Sequence, residues 1–405
     1  MIRPLIHQDI PKLARLHMRV AESGEFTLEE IRTAYDAHFA GIYLDHPWYD
    51  DRFPSLVNEE SDGRITGLLG VMTRAMSFKG NRITMAVSSR LIVDPECRSK
   101  LAGIQLMKTF LNGHQDLSVA DLGNRTSQKL WHAMGGTTSN LDSLHWSRLL
   151  RPCGNIIEKM CQRKMLKPFG VLAAPFGRIV DRVVAGHSKM PLAIEKPIGT
   201  TDDLDPVSFV KYLPLFTQQD ELLPIYDHGS AEWVFGRLGN MWDHGNVYKI
   251  LVRNDVNDVI GWFIYNLEPS GFGEVAQIAA TEQSIHEVLR HLFDHAWNSG
   301  AVGLTGRLRP RFMHAFSDLR CRFHCTDEVA LVHASDPEIV HAFETGNAFL
   351  TALEGEGCLY LSMTADCSEP PTVTPADDGP LSMPTTSDGE VDIDRVEQLV
   401  AEAIR

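Results

Sequence analysis

The chain has 405 residues, 43% hydrophobic and 8% aromatic, enough for two domains that bury real cores, plus a tail. Its formal net charge is −15, and residues 366–405 alone hold ten acidic groups against two basic ones, which speaks against nucleic-acid binding through an overall field. No apolar run approaches the roughly 18–20 residues that span a bilayer, the start Met1-Ile2-Arg3-Pro4 has no apolar signal core, and the seven cysteines are irregularly spaced; a cytoplasmic protein with reduced thiols is expected.

In chain order, Ile2 to Leu5 reads as a short strand. Asp9 is expected to cap a helix with Pro11 in its first turn. Thr27-Leu28-Glu29-Glu30 has the form of a capping box at the start of a second helix. Ile65 to Phe78 is strand-like, interrupted by Gly67 and Gly70. Lys79-Gly80-Asn81 predicts a hairpin turn, and Ile83 to Val93 returns as a strand that Asp94-Pro95 ends. A helix over Ala102 to Leu111, a strand over Leu117 to Leu122, a helix over Thr126 to Met134 and a last hairpin to Leu150 follow.

Residues 149–200 read as a basic connector, with nine basic groups against three acidic ones over 151–196. Such a face is either simply solvated or a contact surface for an anionic partner, such as an acyl-carrier protein, a phosphorylated substrate or a membrane surface. The second half, 201–365, repeats the order of the first. Ile250-Leu251-Val252 followed by Ile260-Gly261-Trp262 parallels Ser55-Leu56-Val57 followed by Ile65-Thr66-Gly67. A strand over Gly273 to Ala280, a helix over Ile285 to Trp297 and a strand over Val302 to Arg309 complete what reads as a diverged internal duplication. Residues 366–391 are rich in Pro, Thr, Ser, Asp and Gly and predict a disordered acidic linker. Residues 392–405 predict an amphipathic helix with Ile393, Val396, Leu399, Val400 and Ile404 on one stripe, docking on its own chain or on a partner.

The segment Leu91 to Met107 carries the chemistry. A strand ends at a proline, a turn with Arg98 and Lys100 follows, and a helix opens on Ala102 and Gly103. Such a turn aims free backbone amides and the positive end of a helix at one spot, which suits a pyrophosphate. The same residues also suit a plain connection with a basic surface turn.

The segment resembles the acyl-CoA-binding signature of the GNAT superfamily, with Val93, Pro95, Arg98 and Gly103 at matching positions and Leu101 where the family usually has Gly. Downstream, Asn124, Leu130 and Gly135 match a second superfamily stretch. There Ser127 replaces Ala, Gly136 replaces Phe, and Trp131 stands where many members have a Tyr that protonates the leaving thiolate. An indole N–H is not a usable acid near neutral pH, so that role does not transfer.

The resemblance implies an α/β fold of two GNAT-like domains, 1–148 and 201–365, each a splayed mixed β-sheet flanked by helices. The first would hold acetyl-CoA or another acyl-CoA as co-substrate, with no metal. The strand Arg90 to Val93 would pair with pantetheine, with Leu91, Ile92 and Val93 as its cofactor-binding residues. Arg98, Ser99, Lys100, Leu101, Ala102, Gly103 and Ile104 would hold the pyrophosphate, with Asn124 and Ser127 beside the cofactor. Ser88, Ser89 and Asn124 are the candidate catalytic residues, the serines to order a water or hold the substrate. Glu59, Glu60, His132 and His145 are further candidates for the base.

The implied reaction is direct attack of an amine or hydroxyl of a small-molecule or cell-envelope precursor on the thioester. The alternatives are a transferase using an acyl-carrier protein or an aminoacyl donor, and a GNAT-like module that binds without turnover. The second half has no comparable loop, since Thr281-Glu282-Gln283-Ser284 offers neither Arg nor Gly, so it is expected to frame the acceptor pocket. His291 with His295, and Cys321 with His324 and Cys325, lack the further ligands of a metal site; the cysteines read as a buried thiol cluster.

Overall fold

The computed structural model describes residues 1–21, 38–94, 101–151, 194–241 and 245–359. Several expectations lie outside the described residues: the helix starting at Thr27, the loop residues Arg98, Ser99 and Lys100, the connector over 152–193, the linker 366–391 and the helix 392–405.

The first half holds β1 (Ile2–Pro4), α1 (Ile10–Ala21), β2 (Leu56–Glu59), β3 (Ile65–Phe78), β4 (Asn81–Val93), α2 (Ala102–Leu111), β5 (Leu117–Gly123), α3 (Arg125–Ala133), β6 (Thr137–Ser139) and β7 (Leu144–Leu149). The second holds β8 (Thr200–Asp203), α4 (Pro206–Phe216), β9 (Leu222–Pro224), α5 (His228–Met241), β10 (Asn246–Arg253), β11 (Val259–Leu267) and β12 (Phe272–Ala280). It continues with α6 (Ile285–Asn298), β13 (Gly303–Arg307), α7 (Met313–Asp318), β14 (Arg322–Cys325), β15 (Val329–Ala334), α8 (Pro337–Glu344) and a short 3-10 turn, Glu356–Leu359.

Local chemistry explains many of the boundaries. Lys79 (φ 49°) and Gly80 (φ 84°) are both left-handed, the geometry of a two-residue hairpin turn whose twist matches its strands, and Phe78 pairs with Asn81 across it. Asn124 caps α3, its side chain accepting from the Thr126 and Ser127 amides at 3.0 Å each. Asp205 caps α4 in the same way, ahead of Pro206. Asp9 differs from its expected role. Its carboxylate turns back to accept from the Arg3 guanidinium at 2.6 Å and from the Ile6 amide, because a buried carboxylate gains more from a charged partner than from a neutral amide.

The first sheet runs β1-β2-β3-β4-β5-β15-β6, with β9 also on β3, and the second runs β8-β10-β11-β12-β13-β7-β14. Both are mixed, and both are flanked by helices. The orders correspond strand for strand, with β4 parallel to β5 and β12 parallel to β13, so the duplication expected from the sequence is visible as topology.

One strand of each half crosses over. β7 inserts between β13 and β14 of the second sheet, and β15 inserts between β5 and β6 of the first. The hairpin expected up to Leu150 is therefore absent, since β6 and β7 belong to different sheets. Alternation shows that a segment is a strand with one buried face, but not which sheet will take it.

Among the described residues, three cores follow from the period of two along the strands. Leu68, Met72 and Val87 face a core shared with Trp262 and Ile264 of the second sheet, while α4, α5 and α8 fill the space between. Leu69, Val71 and Ala86 face α2 and α3 on the other side of the first sheet. Phe263 and Tyr265 face α6 and α7 beyond the second. No helix among the described residues is long and apolar enough to cross a membrane.

A shared core and exchanged strands couple the halves. Urea unfolding followed by tryptophan fluorescence and by far-UV circular dichroism should give one coincident transition. Leu331→Ala, at a fully buried position of the exchanged strand β15, should lower the whole transition by about 2–5 kcal/mol. Two resolved transitions, with only one of them moved, would show that the halves unfold independently.

Candidate functional site

β4 and β5 pair for only three residues, Met85 with Leu117, Ala86 with Ser118 and Val87 with Val119. Beyond that point the strands separate. On the other side of β4, Leu69 of β3 faces both Arg90 and Leu91, a β-bulge, and Arg90 takes the left-handed φ of 50°. The bulge turns the strand at the level where β5 leaves it.

Tyr43 fixes this level from behind. It is buried, and its hydroxyl shares a 2.9 Å hydrogen bond with the Ser89 hydroxyl. Burial raises its pKa, so it stays a neutral phenol. Gly70 makes the contact possible, because a Cβ there would collide with the Tyr43 ring.

A cavity of about 410 Å³ occupies the opening between the strands. Six of the residues expected at the site line it: Ser88, Ser89, Arg90 and Leu91 from β4, and Asn124 and Ser127 at the start of α3. Ile92 and Val93 continue β4 beyond it, and Val93 packs close to Gly103. Leu101 precedes α2 with a left-handed φ of 58° and a side chain 57% exposed, Ala102 is buried, and Ile104 is 44% exposed. Glu59, Glu60, His132 and His145 do not line the cavity. They bond instead with Arg3, the Thr66 hydroxyl, the Thr138 hydroxyl and the Ser143 carbonyl.

The lining also holds groups that the sequence reading did not bring to the site: His17 from α1, Glu328 from the turn before β15, and Glu356 from the turn after residue 355. Burial and then Arg90 push the His17 pKa down to about 4. Burial, then the Asp121 carboxylate, raise Glu356 well above the usual carboxyl range, against a hydrogen bond from the Leu122 amide and the charge of Arg90. Trp131 is fully buried against the cavity, and its indole N–H has no hydrogen-bond partner among the described residues. No local signal links Glu356 to this place, because it comes from a turn more than two hundred residues further along the chain.

Asp121 holds that turn. Its buried carboxylate accepts the Glu356 amide at 2.5 Å and pairs with Arg307 of β13 at 3.0 Å. Gly355 lies so close that a Cβ would overlap the carboxylate. Thus one residue of β5 binds two separate segments of the second half.

The corresponding opening of the second sheet is closed. β12 and β13 part after Val275 and Gly306, but the space left is about 30 Å³. Phe312 and Phe316 line it, and the buried Gln277 accepts from the Trp262 indole and donates to Thr351.

The other constellations resolve as structure. His291 bonds with the Ile198 carbonyl, and His295 with the Tyr265 hydroxyl. The expected thiol cluster does not form. Cys321 is buried while Cys325 is exposed on the edge strand β14, since residues four apart across a strand start diverge in depth. No group of three potential metal ligands occurs among the described residues.

The chain matches no family model and no curated protein in sequence. In fold it is similar to a GCN5-related N-acetyltransferase from Kribbella flavida, at TM-score 0.50 and 12% identity, covering 82% of this chain and 71% of that one. It is similar to another from Anabaena variabilis, at TM-score 0.52 and 13% identity, covering 83% and 73%. A conserved Enterococcus faecalis protein described as a probable N-acyltransferase matches at TM-score 0.52 and 9% identity, covering 85% and 73%. At these identities the likeness is one of fold. Two mixed sheets, each with one parallel strand pair and flanked by helices, give this chain a fold like that of these GCN5-related N-acetyltransferases.

Proposed function

We propose that the protein transfers an acyl group, acetyl first among the candidates, from a CoA thioester to a small-molecule amine or hydroxyl, with both reactants held in the opening between β4 and β5. The observation that carries this reading is the 410 Å³ cavity at the point where the parallel pair separates. Parting strands leave backbone amides and carbonyls without a ladder partner, and an extended amide-bearing arm satisfies them as a neighbouring strand would.

In this reading β4 from Leu91 to Val93 aligns the pantetheine arm. The segment Arg98 to Ile104, of which Leu101 to Ile104 open α2, meets the pyrophosphate. Ser127 and the amide NH₂ of Asn124 face the thioester end, because the Asn124 carbonyl oxygen is already engaged by α3. Ser88 and Ser89 line the acceptor side, with Ser89 oriented by Tyr43. Holding both reactants in one enclosed space supplies most of the rate enhancement. The Trp131 ring forms part of the wall, and its N–H is fully covered, so it neither protonates the departing sulfur nor reaches it. The second opening, with about 30 Å³, has room for little more than a water, so the second half serves the first site.

Acetyl-CoA and longer acyl-CoAs should stabilise the fold in a thermal-shift assay. A ligand at about 100 times its Kd adds roughly 2.7 kcal/mol. Release of CoA thiol in the presence of an amine panel should follow. Absence of any shift with any CoA thioester would sink the proposal. Binding without thiol release would favour the module that binds without turnover, and a shift seen only with an acyl-carrier-protein thioester would favour that donor.

Trp131→Phe keeps the ring packing and removes the N–H. The covered N–H reaches neither reactant, so kcat and KM for the thioester should stay within about twofold, while removing an unsatisfied buried donor should raise stability by about 1 kcal/mol in urea unfolding. A large fall in kcat in single-turnover measurements would instead place the Trp131 N–H in the reaction.

A further inference from the structure

Among the described residues, the two carboxylates that line the cavity come from the second half. Glu328 is exposed at the rim, and Glu356 lies inside, against the separated part of β5. Glu356 is placed rigidly. Its own amide is bound by Asp121, its carboxyl is met by the Leu122 amide, and the preceding Gly355 lies directly on the Asp121 carboxylate. Arg307 holds Asp121 from β13 through two contacts, the carboxylate at 3.0 Å and the main-chain carbonyl at 3.1 Å. This amounts to a built platform for one carboxyl group, delivered to the mouth of the β4–β5 opening from a distant part of the chain.

We infer that Glu356 is the base of the acyl transfer and that its substrate is a cationic primary amine. The inference rests on the CoA-thioester reading of the cavity. The acidic rim and interior favour a cation over a neutral alcohol, and an ammonium must lose a proton before it can attack. The ammonium gives one proton to the Glu356 carboxylate. The freed amine nitrogen bonds to the thioester carbonyl carbon, the carbon–sulfur bond breaks, and the sulfur leaves as thiolate. The second nitrogen proton passes to that thiolate, giving an amide and a free thiol, and Glu356 returns its proton to solvent.

The charged and titratable groups around Glu356 are His17 from α1, Tyr43 from the helical stretch 38–43, Arg90 from β4, Asp121 from β5 with Arg307 behind it, and Glu328 before β15. α5 also packs against this turn; its His228 and Glu232 pair with each other, and its Arg237 donates to the His38 carbonyl. His17 is a poor competitor as a base, since burial holds its pKa down at about 4. A raised carboxyl pKa places the base form on the alkaline side, so activity should climb as pH rises through the folded value.

The test compares wild type, Glu356→Gln and Asp121→Asn by CoA-thiol release from acetyl-CoA, with two nucleophile classes. One is a set of linear primary amines and diamines. The other is hydroxylamine, which is already uncharged at neutral pH. Glu356→Gln should lose at least a hundredfold in kcat with the amines and lose the rising pH limb. It should keep acetyl-CoA binding, measured by thermal shift, and transfer to hydroxylamine. Asp121→Asn removes a like charge and should move the limb to lower pH. Folding has its own readout. The stability linked to a raised carboxyl is full below the unfolded value and is lost as pH rises through the folded one, so the melting temperature of Glu356→Gln should fall less than that of wild type as pH rises above the ordinary carboxyl range.

Glu356→Gln with unchanged amine kinetics and intact acetyl-CoA binding would overturn this inference and leave the transferase reading standing. Wild type that binds no CoA thioester, or releases thiol with neither nucleophile, would overturn both.

Discussion

The three-residue parallel pairing of β4 and β5 is the constraint from which the site follows. Parallel strands joined over their full length would bury this part of the sheet and leave no room. Parted strands expose main-chain donors and acceptors that an apolar filling could not satisfy without a large cost. The bulge at Arg90 and the Tyr43–Ser89 contact hold the strands apart at a defined level. The second sheet has the same topology and the opposite outcome. There Phe312, Phe316 and the Gln277 network occupy the gap, so the difference between an open and a closed site lies in side-chain volume and polarity and not in strand order.

The halves are joined by reciprocity. β7 and β15 each complete the sheet of the other half, which leaves neither half a closed unit and covers edges that would otherwise be available for pairing. The Asp121 knot works in the same direction at the scale of single atoms. A carboxylate of β5 needs compensation when buried, and it finds it in Arg307 and in the Glu356 amide. The consequence is a division of labour. The first half opens the sheet, and the second half supplies the acidic groups that face the opening.

Much of this was legible locally. The Lys79-Gly80 turn, the Asn124 cap and the strand that ends at Val93 follow from φ preferences, capping and alternation, which act over a few residues. Ser88, Ser89, Leu91, Asn124 and Ser127 stand around one cavity because two motifs follow the β4–β5 opening in chain order. The roles of Asp9 and of Cys325 were not legible in the same way. Arg3 competes for the first, and the depth of an edge strand decides the second, and neither competition is written in a short window.

By itself the sequence determined most elements of the first half and the repeated strand and helix pattern of the second, since periodicity, capping and turn chemistry act within a few residues. Which sheet takes β7 and β15, whether an opening stays empty or fills, and which carboxyl reaches the cavity were decided only by tertiary structure. Glu356 shows why. Its position depends on Asp121, Arg307 and Gly355 meeting at one point, and such a meeting of remote segments leaves no periodicity or motif in the chain.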